Sequence, residues 1–133
     1  MKPSGIALGL VLSVSAVVHA QPVVAVARGA TSLAIVAADD AMVCSVNGSE
    51  ALRLGFGQSE VVADITSLLR PGRNVLSCVL TDRDGGVRYS FGYELRTRDG
   101  VVLRSSGTCP GTADCRLPSG TFSLGDLSVL YQP

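Results

Sequence analysis

Tryptophan is absent, and lysine and histidine occur once each, as Lys2 and His19. From residue 21 onward the chain therefore carries neither. Imidazole is the usual general base near neutral pH and the commonest metal ligand. Its absence excludes Ser-His-Asp and Cys-His catalysis there, and His-bearing zinc sites with them. Schiff-base chemistry needs an amine, which beyond Lys2 only a chain terminus could supply. An excess of one charge is also missing, since 11 basic residues balance 11 acidic ones. That argues against a nucleic-acid binder held by a basic surface. A charged fraction of 17% beside 47% hydrophobic residues is too apolar for intrinsic disorder. At 133 residues one domain is the expectation.

The first twenty residues read as a secretory leader. Lys2 supplies a positive start, Ile6 to Val18 is an apolar run, and Val18-His19-Ala20 presents compact residues before Gln21. The run is shorter than the roughly 20 residues of a membrane span. No Cys lies near the expected cut, so lipid anchoring is not expected. Cleavage after Ala20 leaves 113 of the 133 residues, a single domain over 21–133. Loss of Lys2 leaves 10 Arg against the 11 acidic residues, a net charge of −1. No later apolar stretch is long enough to cross a bilayer, so the mature chain is read without a span. The destination is the periplasm or the extracellular medium.

Four Cys in an exported chain of this size read as two disulfides. Their separations of 34, 31 and 6 contain no C-x2-C pair, which disfavours a zinc site. Three pairings are possible. Cys109 and Cys115 bracket a short loop and form the natural local bridge, leaving Cys44 with Cys78. On chain-entropy grounds the long loop would stabilise by about 4 kcal/mol and the short one by about 2 kcal/mol.

The patterning is β throughout. Strands are expected at 23–28, 32–38, 41–46, 51–54, 61–65, 74–81, 87–97, 101–104 and 121–131. Asn47-Gly48 is a strong hairpin signal, because both central residues of a type I′ turn need positive φ. Ser67 to Arg70 suggests one helical turn before Pro71-Gly72, and Asp99-Gly100 a second hairpin turn. A polar, Cys-bearing loop is expected after Arg104. No segment holds a helical period beyond one turn. Many short strands between such turns suggest a sandwich or a barrel, and a sandwich hides one face of each strand. Met42, Cys44 and Val46 share one parity of their strand, and Leu76, Cys78 and Leu80 one parity of theirs. Both cysteines should then point inward, within reach of each other.

The order of these pieces resembles a known family. Ser32 to Asp40 is an apolar strand running into an acidic turn, and Val46-Asn47-Gly48 ends a strand. Asp64-Ile65-Thr66 precedes a helical turn, followed by Gly72-Arg73-Asn74 and another strand. Together they resemble the galactose-binding-like jelly roll, over about residues 30–104. Such domains accompany glycoside hydrolases and proteases and also occur alone. The resemblance implies a jelly-roll β-sandwich and a ligand-binding rather than catalytic role. The large aromatic often found near that family's C-terminal end is replaced here by Cys109 to Cys115.

Candidate sites follow from residue type and position. Asp82-Arg83-Asp84-Gly85-Gly86 resembles the first half of a calcium loop but lacks the later bidentate Glu, so a hairpin turn is the plainer reading. Asp39 and Asp40 could join another acidic group around Ca2+, although a strand-to-strand corner explains them as well. Neither pair is strong enough to expect a metal, and no cofactor is expected. Asn47-Gly48-Ser49 is formally a glycosylation sequon, but the turn already explains its Asn-Gly. Tyr89, Phe91 and Tyr93 share one strand parity and are expected in the core, opposite Arg88, Ser90, Gly92, Glu94 and Arg96. Phe56, in a Gly-rich loop, is the better exposed ring, and with Arg53 forms the expected binding loop.

The chain is therefore expected to be a non-catalytic binding module for carbohydrate or cell-envelope glycan. The alternative is a protein-interaction or inhibitor-type module serving a larger periplasmic or secreted partner. A structural unit of a surface assembly is a third reading.

Overall fold

The computed structural model describes residues 21–83, 88–110 and 120–133, excluding the side chains of 88, 89, 109 and 110. The expected leader (residues 1–20), Asp84, the Tyr89 side chain and the Cys109–Cys115 bridge lie outside the described residues. The described residues form nine strands: β1 (Val23–Arg28), β2 (Thr31–Ala38), β3 (Ala41–Val46), β4 (Ser49–Leu54), β5 (Val61–Asp64), β6 (Gly72–Asp82), β7 (Arg88–Thr97), β8 (Gly100–Pro110) and β9 (Gly120–Gln132). One 3-10 turn, Thr66–Leu68, interrupts them where the helical turn is expected. No helix among the described residues is long and apolar enough to cross a membrane.

The strands make two packed sheets, a five-stranded one ordered β1-β9-β6-β3-β4 and a four-stranded one ordered β5-β2-β7-β8. All pairs are antiparallel except β1 with β9. Each sheet hides one face, so inward and outward residues alternate. In β6 the alternation is complete: Asn74, Leu76, Cys78, Leu80 and Asp82 are buried and their neighbours are not. The core between the sheets is built from Leu33, Ile35, Met42, Leu80, Tyr93 and Leu95 with Val129 and Tyr131. Tyr93 is fully buried and Phe91 packs against the same core, as their parity predicts.

Cys44 and Cys78 lie directly opposite each other on β3 and β6 and form a disulfide. Their Cα atoms are 4.1 Å apart, nearer to the about 4.5 Å of the closer kind of opposed antiparallel pair than to the about 5.5 Å of the wider kind. The bond joins neighbouring strands of one sheet rather than the two layers.

One expectation about the chain path is corrected. The segment after Arg104 is not a loop: β8 continues to Pro110. Its small residues are there for the strand beside it. Ser105 pairs with Tyr93 and Gly107 with Phe91. A Cβ at Gly107 would fall 2.6 Å from Phe91 Cε1, so only glycine leaves that ring its place. Composition alone reads Ser-Ser-Gly-Thr as a loop, whereas cross-strand packing against two rings makes it a strand.

Candidate functional site

The strand register gathers the functional candidates at one end of the sandwich. Ala41 pairs with Thr81, Met42 with Leu54, and Asp82 with Gly120. Ile35 pairs with Val61, Ala38 with Phe91, and Arg88 with Pro110. The ends of β2, β4, β6 and β8 therefore lie beside the starts of β3, β5, β7 and β9. Each of the four connections leaving this end passes from one sheet to the other.

Phe56 stands on the β4–β5 connection. A tight local closure projects it: the Gly55 amide donates to Gln58 Oε1 at 2.5 Å, and the Gln58 amide to the Gly55 carbonyl at 3.2 Å. Gly57, with φ +83°, supplies the left-handed residue this path needs. The result is a phenyl ring that is 67% exposed, the most exposed large apolar side chain described. The Arg83 guanidinium carbon sits 5.1 Å from the ring centroid, within the range of a cation–π contact.

Asp39, Asp40 and Asp82 converge beside this pair. Their carboxylates each offer an oxygen within 4.8 Å of the others. Asp82 ends the inward row of β6 and is buried, while Asp39 and Asp40 form the β2–β3 corner and are half-buried. The Arg83 amide donates to Asp40 Oδ2, which ties the corner to the end of β6. Three carboxylate oxygens are the donor type that a hard cation such as Ca2+ prefers, though fewer than the six to eight it takes. The sequence presents Asp39-Asp40 and Asp82 as separate candidates, 42 positions apart at the nearest. The fold makes them one cluster.

Arg53 is placed differently. It lies on β4 opposite Val43, on the outer side of the five-stranded sheet. Its guanidinium is paired with Glu50 at 2.7 Å and is exposed to solvent. That pairing holds the Glu50 carboxyl below the ordinary carboxylate range. The cation at the Phe56 ring is Arg83, whose sequence context, Asp82-Arg83-Asp84-Gly85, indicates only a turn. No sequence signal connects positions 56 and 83, because the contact depends on two connections meeting.

The opposite end, or base, uses its polar groups internally. Asn47 has φ 51° and Gly48 φ 87°, as the hairpin turn requires. Asn47 Nδ2 donates to Asn74 Oδ1 at 2.8 Å and Asn47 Oδ1 accepts from the Val75 amide at 2.9 Å. Glycosylation of this sequon would replace a hydrogen of an amide already in use. Asn74 Oδ1 also accepts from the Arg70 amide, and its Nδ2 donates to the Arg70 and Gly72 carbonyls. Asp64 accepts from the Thr66 amide at 2.8 Å, and hydrogen bonding to the Thr66 side chain first, then to its amide, holds the carboxyl below the ordinary value.

An open groove of about 280 Å³ lies at the base, lined by Thr31, Ser32, Asp64, Arg96, Thr97 and Arg98. Two of its charges are committed elsewhere, Asp64 to the Thr66 amide and Arg96 to Glu94 and Glu60. Glu94 accepts from Arg104 at 2.8 Å and from Arg96 at 3.0 Å, and these bonds hold its carboxyl below the ordinary range. The two guanidinium groups also cover Glu94, which parity alone predicts to be solvated; it is 9% exposed.

The chain matches no known protein family, no curated protein and no solved structure.

Proposed function

We propose that this protein is an exported, non-catalytic binding module of galactose-binding-like, jelly-roll type, with a second disulfide between Cys109 and Cys115. Its ligand is a carbohydrate, in the setting of the periplasm or extracellular medium a cell-envelope glycan. The observation that carries the reading is the exposed Phe56 ring, beside a guanidinium and three carboxylates at one end of the sandwich. A sugar ring presents an apolar C–H face and a rim of hydroxyls. An aromatic face satisfies the first, and charged donors and acceptors satisfy the second. Arg83 is suited to hold hydroxyl or carboxylate oxygens because its donors form a planar fork. The absence of His and Lys after residue 20 supports a binding role over catalysis.

A glycan array tests the proposal. Binding to a defined glycan class that disappears in Phe56→Ala, with the fold intact by circular dichroism, supports it. A blank array, or binding unaffected by Phe56→Ala, overturns it.

A second reading has its own observation. The outer face of the five-stranded sheet carries Val43, Ser45, Val75, Ser77, Val79 and Thr81, a run of small side chains bordered by Arg53 and Asp126. Among the described residues β8, an eleven-residue strand, is the edge of its sheet beside β7. A face of small side chains and a long edge suit a protein partner, by surface docking or by strand addition. A blank array together with a co-purifying protein lost on Val79→Arg would favour this reading.

A further inference from the structure

We propose that the mature N-terminus is a pyroglutamyl lactam formed from Gln21, and that the exported domain consequently carries no primary amine. The proposal rests on cleavage of the leader after Ala20. That cut makes Gln21 the first residue, with a free α-amine beside its own side-chain amide. The neutral amine nitrogen attacks Cδ of that amide. An N–Cδ bond forms, the Cδ–Nε2 bond breaks, and ammonia leaves carrying the displaced amine proton. A five-membered lactam remains, and no oxidant, reductant or co-reactant is consumed.

The structure favours this outcome in two ways. Gln21 is exposed and precedes β1, so its side chain is free to fold back on its own nitrogen. Its carbonyl is anchored: Arg73 Nη1 donates to Gln21 O at 2.5 Å and to Ser128 Oγ at 2.7 Å. The new ring contains N, Cα, Cβ, Cγ and Cδ but not the carbonyl carbon, so the anchor survives the reaction. Arg73 also places a fixed positive charge near the new terminus. A like charge there disfavours the ammonium form and leaves more neutral amine to react. Cyclisation then removes the repulsion, because the lactam is uncharged.

The consequence comes from what the sequence lacks. Lys2 is the one lysine and departs with the leader. The α-amine of Gln21 is then the last primary amine in the chain, and the lactam abolishes it. Such a domain can neither form a Schiff base nor react with amine-directed reagents.

The test is to secrete the full chain, then record the mass of the N-terminal peptide and the uptake of an N-hydroxysuccinimide ester by the intact protein. The expected peptide begins at Gln21 and is one ammonia lighter than the free-amine form. Labelling is lost, and Gln21→Ala regains a single label per chain. A peptide beginning at Gln21 that keeps its ammonia and takes up label overturns the proposal while upholding the leader. A chain that begins at Met1 and labels at Lys2 overturns the leader reading and the proposal with it, and the two failures differ in mass. In freshly made protein Arg73→Met should slow the ammonia loss, and an unchanged rate overturns the part given to Arg73.

Discussion

β6 carries a buried polar residue at each end of its inward row, and the two are used in opposite ways. Asn74, at the base, is 1% exposed and its amide serves four hydrogen bonds. Asp82, at the loop end, is 2% exposed and sits with Asp39 and Asp40. Between them run Leu76, Cys78 and Leu80. A neutral amide with two donors and an acceptor can bind neighbouring backbone groups completely and lock a set of turns. A carboxylate gathered with two more is acceptor-only, which suits a cation or a donor-rich ligand better than a neutral lattice. The base thus holds the fold, and under the proposed function the loop end is where the ligand is met.

That contrast has measurable consequences. The disulfide lies in the layer on which both ends rest, so its loss should weaken both together. The Cys44→Ala, Cys78→Ala double variant is expected to lose about 4 kcal/mol of unfolding free energy. Denaturant unfolding with fluorescence and circular dichroism checks it; a midpoint equal to wild type contradicts the assignment.

Asn74→Ala should be next, at about 3 kcal/mol, because it strips partners from Asn47, Arg70 and Gly72 at once. Hydrogen exchange would locate the damage at the base. A loss below about 0.5 kcal/mol would remove the distinction between the ends.

Acid should act in the same direction more gradually. The Glu94, Asp64 and Glu50 carboxyls are lowered in the folded state, by Arg104 and Arg96, by Thr66, and by Arg53. Their contribution is present above the unfolded value, about pH 4. It is lost as pH falls through the lower folded value. Stability should therefore be flat near neutrality and decline below about pH 4, and Glu94→Gln should make that decline shallower. A decline of unchanged slope in Glu94→Gln would show that its two guanidinium bonds contribute nothing.

Phe56→Ala should have the smallest effect on the fold, within about 0.5 kcal/mol, since the ring is mostly in water. A large drop in melting temperature would mean the ring is part of the structure and would reassign it to the scaffold.

Much of the scaffold was readable from residue order. Period-two runs of Met, Cys, Val and Leu mark the inward faces of β3 and β6, and the same parity brings Cys44 to Cys78. Asn47-Gly48 fixed a hairpin because few residues tolerate two successive positive φ angles. The course of β8 beyond Arg104 is not legible in its own residues, because its reason lies on another strand, in the rings of Tyr93 and Phe91. At the loop end, exposure of Phe56 was legible from its glycine flanks, but its partner was not.

Local order determined the alternation, the turns, the sulfur pair and the absence of His and Lys after residue 20, because each depends on residues a few positions apart or on composition alone. Only the tertiary structure decided that Phe56 meets Arg83, that Asp82 meets Asp39 and Asp40, and that Arg73 holds Gln21. Those contacts join connections that cross between sheets or residues on separated strands. Their distances are set by how the layers stack, which no local pattern encodes.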